Sequence, residues 1–456
     1  MGFTKSVTIT FISNLVLFFL SIMTTVLLSR LLGPAGKGVV DVANNFLTFA
    51  VLFLGLGLAA SNVFFLGKNQ NNLRPIIGNN IFLTVLSVFV LIPFYFLNAR
   101  FQFQFLRGVT NLQILMVLIA VPFANFKASM VNVLLGLQDV VEYNRINIID
   151  KVLNLSLLLA FLLYIVSPSS AILATLLGAV LISIWEIFIL LKHVEKQAVA
   201  TEACPTDAVA QEKLGAGLSA LFSVDWPLMR QMLGYGLKAQ IGNIIQRLNY
   251  RLDVFIVNYF LPISQVGIYG IAVALGETLW GVSGSIATVI FPIVSASTDK
   301  KEMFTFTNQV TRVSFALITL FSLLLAVVSR PLIILWFGSG FASASAALLW
   351  LLPGIAIFSV SNILANYLAG VGLVHKNIYS SLVSGSVTVI LDLLLIPRIG
   401  INGASIATSF SYIIFTLMTL FFYVQYTKSK LRDVLVLKAS DLTLIRQAIR
   451  QRRHRT

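Results

Sequence analysis

The sequence predicts an all-α polytopic membrane protein: twelve transmembrane helices in two pseudo-symmetric six-helix bundles around a central cavity. Three observations carry this reading. Of 456 residues, 58% are hydrophobic and only 11% charged, more apolar surface than a soluble core needs. Windows of about 20 apolar residues, each long enough to cross a ~30 Å hydrocarbon layer, recur from end to end. The second half also repeats features of the first.

Apolar windows bounded by Gly, Pro, Asn and charge clusters place the spans at 8–29, 39–66, 76–97, 112–135, 146–166, 170–191, 231–260, 267–292, 309–329, 342–369, 377–396 and 401–426. A cleavable signal peptide is the rival reading of Thr8 to Leu28. No small-residue cleavage site follows before Arg30 and the Gly33-Pro34 turn, so it reads as a retained span. The first bundle covers 1–192 and the second 231–427. Between them, 193–230 reads as a cytoplasmic linker ending in the amphipathic LSALFSVDWPLM, a helix lying on the membrane surface. Residues 428–456 read as a basic cytoplasmic tail that orients the chain and touches anionic lipid.

With the N-terminus inside, Lys5, Lys68, Arg74, Arg145, Lys192, Lys196, Lys213, Arg230, Lys300, Lys301, Arg312, Lys376 and the basic residues of the tail gather on the cytoplasmic side. Only Arg30, Lys37, Arg100, Arg107, Arg330 and Arg398 face the other. The asymmetry puts both termini in the cytoplasm. It also accounts for most of the +15 net charge without nucleic acid. The single cysteine, Cys204, excludes an internal disulfide framework. His193, His375 and His454 are isolated, so no metal or other cofactor is expected.

At a shift of 229 residues Asn14 meets Asn243, Leu32 meets Leu261, Gly38 meets Gly267 and Ala43 meets Ala272, aligning LLGPAGKGVV with FLPISQVGIY. Paired bundles of this kind are a common transporter plan. The first-half partners of Arg247, Arg251 and Asp253 are Phe18, Ile22 and Thr24, so the seventh span alone carries these charges. Each charge costs roughly 2.5–3.5 kcal/mol at mid-bilayer, and an ionisable residue inside a span defaults to a functional role. On a helix Gln240, Asn243, Arg247, Arg251 and Asn258 form one polar stripe, while Asp253 lies off it and needs a separate partner. Two guanidiniums at i,i+4 fit a diphosphate; the bland alternative pairs them with Glu277 or Asp392.

The fifth span adds Asn144, Asn147, Lys151 and Asn154 with Asp150 beside them, and the fourth adds Lys127 among Asn125 and Asn132. Together these stripes predict a cationic cavity, with Arg247, Arg251, Lys127 and Lys151 meeting substrate and Gln240, Asn243, Asn147, Asn154 and Asn258 lining it. Asp253, Glu277, Asp392 and Asp150 are either ion carriers or salt-bridge partners. Asn362 and Asn366 read as helix-to-helix hydrogen-bonding residues.

SRLLGPAGKGVVDVANNF, NYRLDVFIVNYFLPISQVGIYGIA followed by Glu277, and FPIVSAS resemble bacterial polysaccharide-transport flippases of the oligosaccharidyl-lipid type, in the superfamily of lipid II flippases and multidrug and toxic-compound extrusion transporters. The resemblance implies a multi-pass protein of the bacterial cytoplasmic (inner) membrane that translocates an undecaprenyl-diphosphate-linked oligosaccharide for surface polysaccharide export. It makes membrane lipids, a polysaccharide polymerase and a chain-length regulator the candidate partners. It also implies that Arg247 and Arg251 meet the diphosphate or acidic sugars. Unlike lipid II flippases, the first span has no arginine before Arg30. An ion-coupled drug antiporter is the alternative, although a cationic drug calls for carboxylates where the stripes carry Arg and Lys. A membrane glycosyltransferase or ligase is a weaker one, because the expected outer loops are short and lack His.

Overall fold

A computed structural model of the chain describes residues 3–201, 224–296, 300–438 and 441. Its regular structure is helical: α1 (Phe3–Leu54), α2 (Leu58–Lys68), α3 (Leu73–Phe101), α4 (Asn111–Gly136), α5 (Val140–Tyr164), α6 (Pro168–Thr201), α7 (Trp226–Phe260), α8 (Ile263–Ala296), α9 (Lys300–Phe337), α10 (Ala344–Gly370), α11 (Val374–Ile399), α12 (Ile401–Thr427) and α13 (Leu431–Leu435). Among the described residues nine helices are long and apolar enough to cross a membrane. Large apolar side chains stand exposed along them, Leu163 at 85% and Val327 at 82%, as a lipid-facing surface requires. Cys204, the linker from Glu202 to Ser223 and the tail end LIRQAIRQRRHRT lie outside the described residues.

Helix α1 is two helices joined at Gly33, whose φ of 64° suits glycine. Pro34 opens the second, where a missing N–H has no partner to lose. The matching break, Leu261-Pro262 between α7 and α8, falls where the 229-residue shift puts it, and the paired Ala43 and Ala272 are both buried.

The expected single span 39–66 is interrupted at Gly55–Gly57, with Leu56 at φ 48° and Gly57 at φ 74°. The freed carbonyls find side chains. Asn125 Nδ2 donates to Leu54 O at 3.2 Å and Gln240 Nε2 donates to Leu52 O. Irregular backbone at membrane depth is tolerated where protein satisfies it in this way. Glycine is also required by contact, since a Cβ on Gly57 would lie 2.0 Å from the Gly236 carbonyl oxygen.

The chain divides into two compact units, Met1–Ile244 and Ile245–Thr456. The division falls inside α7 rather than in the 193–230 linker. The first half of α7 belongs to unit 1: Ser61 Oγ donates to Met232 O at 2.7 Å, and Leu228, Met229 and Met232 join the core of α2 to α6. The expected surface helix is corrected here from Val224 onward. Asp225 caps α7, accepting from Leu228 N–H at 2.9 Å and exchanging hydrogen bonds with Asn79, so Leu228 and Met229 enter the core while Trp226 and Pro227 stay exposed.

In unit 2 a core of α8, α9, α10 and α12 also takes in Val434 of α13. The start of the tail is therefore packed, not wholly solvated. Arg312, buried on α9, donates Nε and Nη2 to the two oxygens of Asp441, each at 2.7 Å, and Nη1 to Asp433 O. That guanidinium holds the Asp441 carboxyl below the usual carboxylate range.

Candidate functional site

The second half of α7 brings Arg247, Arg251 and Asp253 to unit 2. Arg251 Nη2 lies 2.6 Å from Glu277 Oε2 on α8, and both side chains are about one quarter exposed. One helical turn away, Arg247 is half-buried and makes no ion pair among the described residues. The charges whose fields reach it are Arg251 and Glu277. The two expected diphosphate ligands are therefore not equivalent: Glu277 neutralises Arg251, and Arg247 supplies the remaining positive charge.

Asp253 takes a separate partner, also on α8. It is buried, accepts from Tyr269 Oη at 2.5 Å and from Val254 N–H at 2.8 Å, and Tyr269 Oη lies 3.4 Å from Thr408 Oγ1. Asp392 on α11 is fully buried, and neither carboxylate oxygen has a hydrogen-bond partner among the described residues. The field of Asp253 reaches it. Tyr250, Asp253, Glu277, Trp280, Thr408 and Tyr412 surround a pocket within unit 2, where Tyr250 meets Trp280 edge-on at 4.9 Å.

Asn249 holds this part of α7 in place. Its Nδ2 donates to Ser384 Oγ at 2.9 Å, and its Oδ1 accepts from Thr388 and Ser411. Three helices thus meet at one amide. Asn362 Nδ2 donates to Ser283 Oγ at 3.0 Å, the expected bond between helices; Asn366 instead bonds the Asn362 carbonyl of its own helix.

In unit 1, Lys127 Nζ lies 2.9 Å from Asp150 Oδ2, and Asn154 Nδ2 donates to Asp150 Oδ1 at 3.3 Å. Lys151 is half-buried without an ion pair among the described residues. The asparagines mostly serve the helices: Asn147 bonds the Tyr143 carbonyl, and Asn144 bonds Thr10 and the Val140 carbonyl. Gln240, buried, caps Leu52 O and accepts from Asn243 at 3.5 Å, and Asn258 is buried. The expected lining therefore separates into exposed Asn243, half-buried Arg247 and Arg251, and buried structural amides at both ends of the stripe.

Sequence reasoning missed Glu186, Asn249 and Tyr269. Glu186 was findable, as a lone carboxylate in the apolar run LISIWEIFILL. Tyr269 was not, because its value lies in meeting Asp253 from another helix.

A family model described as "Polysaccharide biosynthesis protein" matches residues 3–298. An uncharacterized membrane protein, MJ1068, of Methanocaldococcus jannaschii is 26% identical over 374 residues, 80% of this chain and 69% of the relative. The probable low-salt glycan biosynthesis flippase Agl15 of Haloferax volcanii is 28% identical over 200 residues, 41% of each chain. Among solved structures, the lipid II flippase MurJ in an inward closed conformation superposes with a TM-score of 0.70 at 16% identity, covering 94% of this chain and 89% of MurJ. An inward-facing MATE multidrug transporter gives 0.70 at 12% identity, covering 90% and 94%. At these identities the two structures establish a shared fold.

Proposed function

From the premise that the chain belongs to the polysaccharide biosynthesis protein family, we propose that it is a flippase. It carries a polyprenyl-diphosphate-linked oligosaccharide across the cytoplasmic membrane by alternating access, for export of a surface polysaccharide. Both termini lie in the cytoplasm on the count of basic residues. A polysaccharide polymerase and a chain-length regulator are the partners that would take the product onward.

The observation that carries this reading is Arg247, a half-buried guanidinium without an ion pair among the described residues. In a medium of low dielectric such a charge calls for an anion, and its planar donors suit phosphate oxygens. Lys151 offers a second uncompensated cation in unit 1. Arg251 and Lys127 enter the site already paired with Glu277 and Asp150, so they reach a phosphate only by exchanging partners. The relative named as a glycan biosynthesis flippase agrees with this reading. Asp253 and Asp392, buried together in unit 2, are the residues we assign to ion coupling.

Arg247→Ala should abolish surface glycan export at unchanged protein level, and Arg247→Lys should retain part of it. Normal export by the alanine variant removes Arg247 from the mechanism. A second reading, drug antiport, draws on the pocket of Tyr250, Trp280 and Tyr412 with Asp253 and Glu277, since aromatic faces and carboxylates attract organic cations. Dye efflux in a pump-deficient host, lost in Glu277→Gln and kept in Arg247→Ala, would favour it.

A further inference from the structure

Glu186 lies in unit 1, outside the site described above. Its side chain is buried, 1% exposed, and neither carboxylate oxygen has a hydrogen-bond partner among the described residues. Its neighbours on the same face of α6, Ile182, Ile189 and Leu190, belong to the apolar core, with Phe126 of α4 and Ile146 of α5. An isolated ionised carboxylate in such surroundings is far costlier than a neutral acid.

The register of the helices brings two charges to the same level. Ser183 Oγ donates to Phe123 O of α4 at 3.0 Å, which puts Glu186, one turn further on, level with Lys127. From α5 comes Asp150, the partner of Lys127; Lys127 and Asp150 are the charges whose fields reach Glu186. Of the other charged residues on elements packed against α6, Lys151 lies beside Asp150 on α5. Arg145 stacks on Trp185 and pairs with Glu142, and His193 of α6 faces Asp139. Lys37 and Asp41 of α1 pair with each other, and α1 brings no charged residue between Thr8 and Ser29.

We propose that Glu186 is a proton-binding site inside unit 1, which holds its proton in the conformation described and releases it to water when Lys127 leaves Asp150 to pair with it. The ammonium stays charged throughout and changes only its partner; the proton alone departs. A metal cation fits less well, because it needs several oxygen ligands and the core around Glu186 is made of Ile, Leu and Phe.

The test is infrared difference spectroscopy of the full chain in lipid nanodiscs, titrated with pH. The wild type should show a protonated-carboxyl stretch that disappears at high pH. Glu186→Gln should lack that band and melt close to the wild type, because the amide mimics the neutral acid; Asp392→Asn should keep it. In Lys127→Met, which lacks the cation level with Glu186, the band should persist to higher pH than in the wild type. Identical spectra for wild type and Glu186→Gln would overturn the proton site. A Glu186 band that titrates in Lys127→Met as in the wild type would overturn the exchange.

Discussion

Replacing Glu277 by Gln keeps the shape of the α8 side chain and removes the charge that Arg251 meets at 2.6 Å. Among the described residues, the number of guanidiniums without an ion pair on the second half of α7 rises from one to two, a helical turn apart. A second unit charge about 6 Å from a bound anion contributes ~3 kcal/mol at an effective dielectric near 20. With both partners about one quarter exposed, solvent reduces this to about 2 kcal/mol, or roughly 30-fold in affinity. Losing the pair should also cost about 1–2 kcal/mol of stability, between the surface and buried limits. Binding of polyprenyl diphosphate to the purified protein, followed by native mass spectrometry, should therefore tighten in Glu277→Gln. Turnover should fall at the same time, because the anion leaves more slowly. Weaker binding in Glu277→Gln would mean that the paired Arg251–Glu277 unit, and not the free positive charge, recognises the ligand.

Asp441→Asn leaves Arg312 buried without its carboxylate, which should cost about 3 kcal/mol and appear as a lower thermal midpoint. Because Arg312 holds Asp441 below the usual carboxylate range, the wild-type contribution is complete above the unfolded value of about 3.9. It is lost as pH falls through the lower folded value; Asp441→Asn should lack that acid-dependent step. Gly57→Ala puts a methyl group 2.0 Å from the Gly236 carbonyl oxygen at a φ of 74°, so it should destabilise unit 1 by about 3 kcal/mol or more, measured as lost folded yield in detergent. Ala at Gly67, where an added Cβ meets nothing within 4 Å, is the matched control.

Two helix breaks were legible in the sequence because Pro-bearing turns are local properties: Gly33-Pro34 and Leu261-Pro262 both end helices. The expected twelve spans meet nine helices apolar enough to cross among the described residues, α7 and α8 not among them. The interruption at Gly55–Gly57 was not, since it depends on Asn125 and Gln240 arriving from other helices to satisfy the carbonyls. Angular position on α7 set Asp253 apart from the arginine stripe, and Asp253 meets a partner of its own, Tyr269, but on α8, the helix that also brings Glu277 to Arg251. It did not show that Gln240 and Asn258 would be buried while Arg247 stays half-exposed, because periodicity defines a face without saying what covers it. Pairing was the least legible property. Glu277 was named as one partner open to the arginines, but that it takes Arg251 and leaves Arg247 follows from the approach of α8. Glu186 needed only the rule that a charge in an apolar span has a purpose, while its want of a partner is visible only with α4 and α5 around it.

The most direct measurement of the central claim is translocation of a polyprenyl-diphosphate-linked oligosaccharide in proteoliposomes containing only this protein, scored by access of an external glycosidase to the sugar. Wild-type protein should expose the internal pool, and Arg247→Ala, reconstituted at equal density, should lose at least ~10-fold of that rate, about 1.4 kcal/mol. Translocation by Arg247→Ala at the wild-type rate would contradict the assignment of the diphosphate to Arg247.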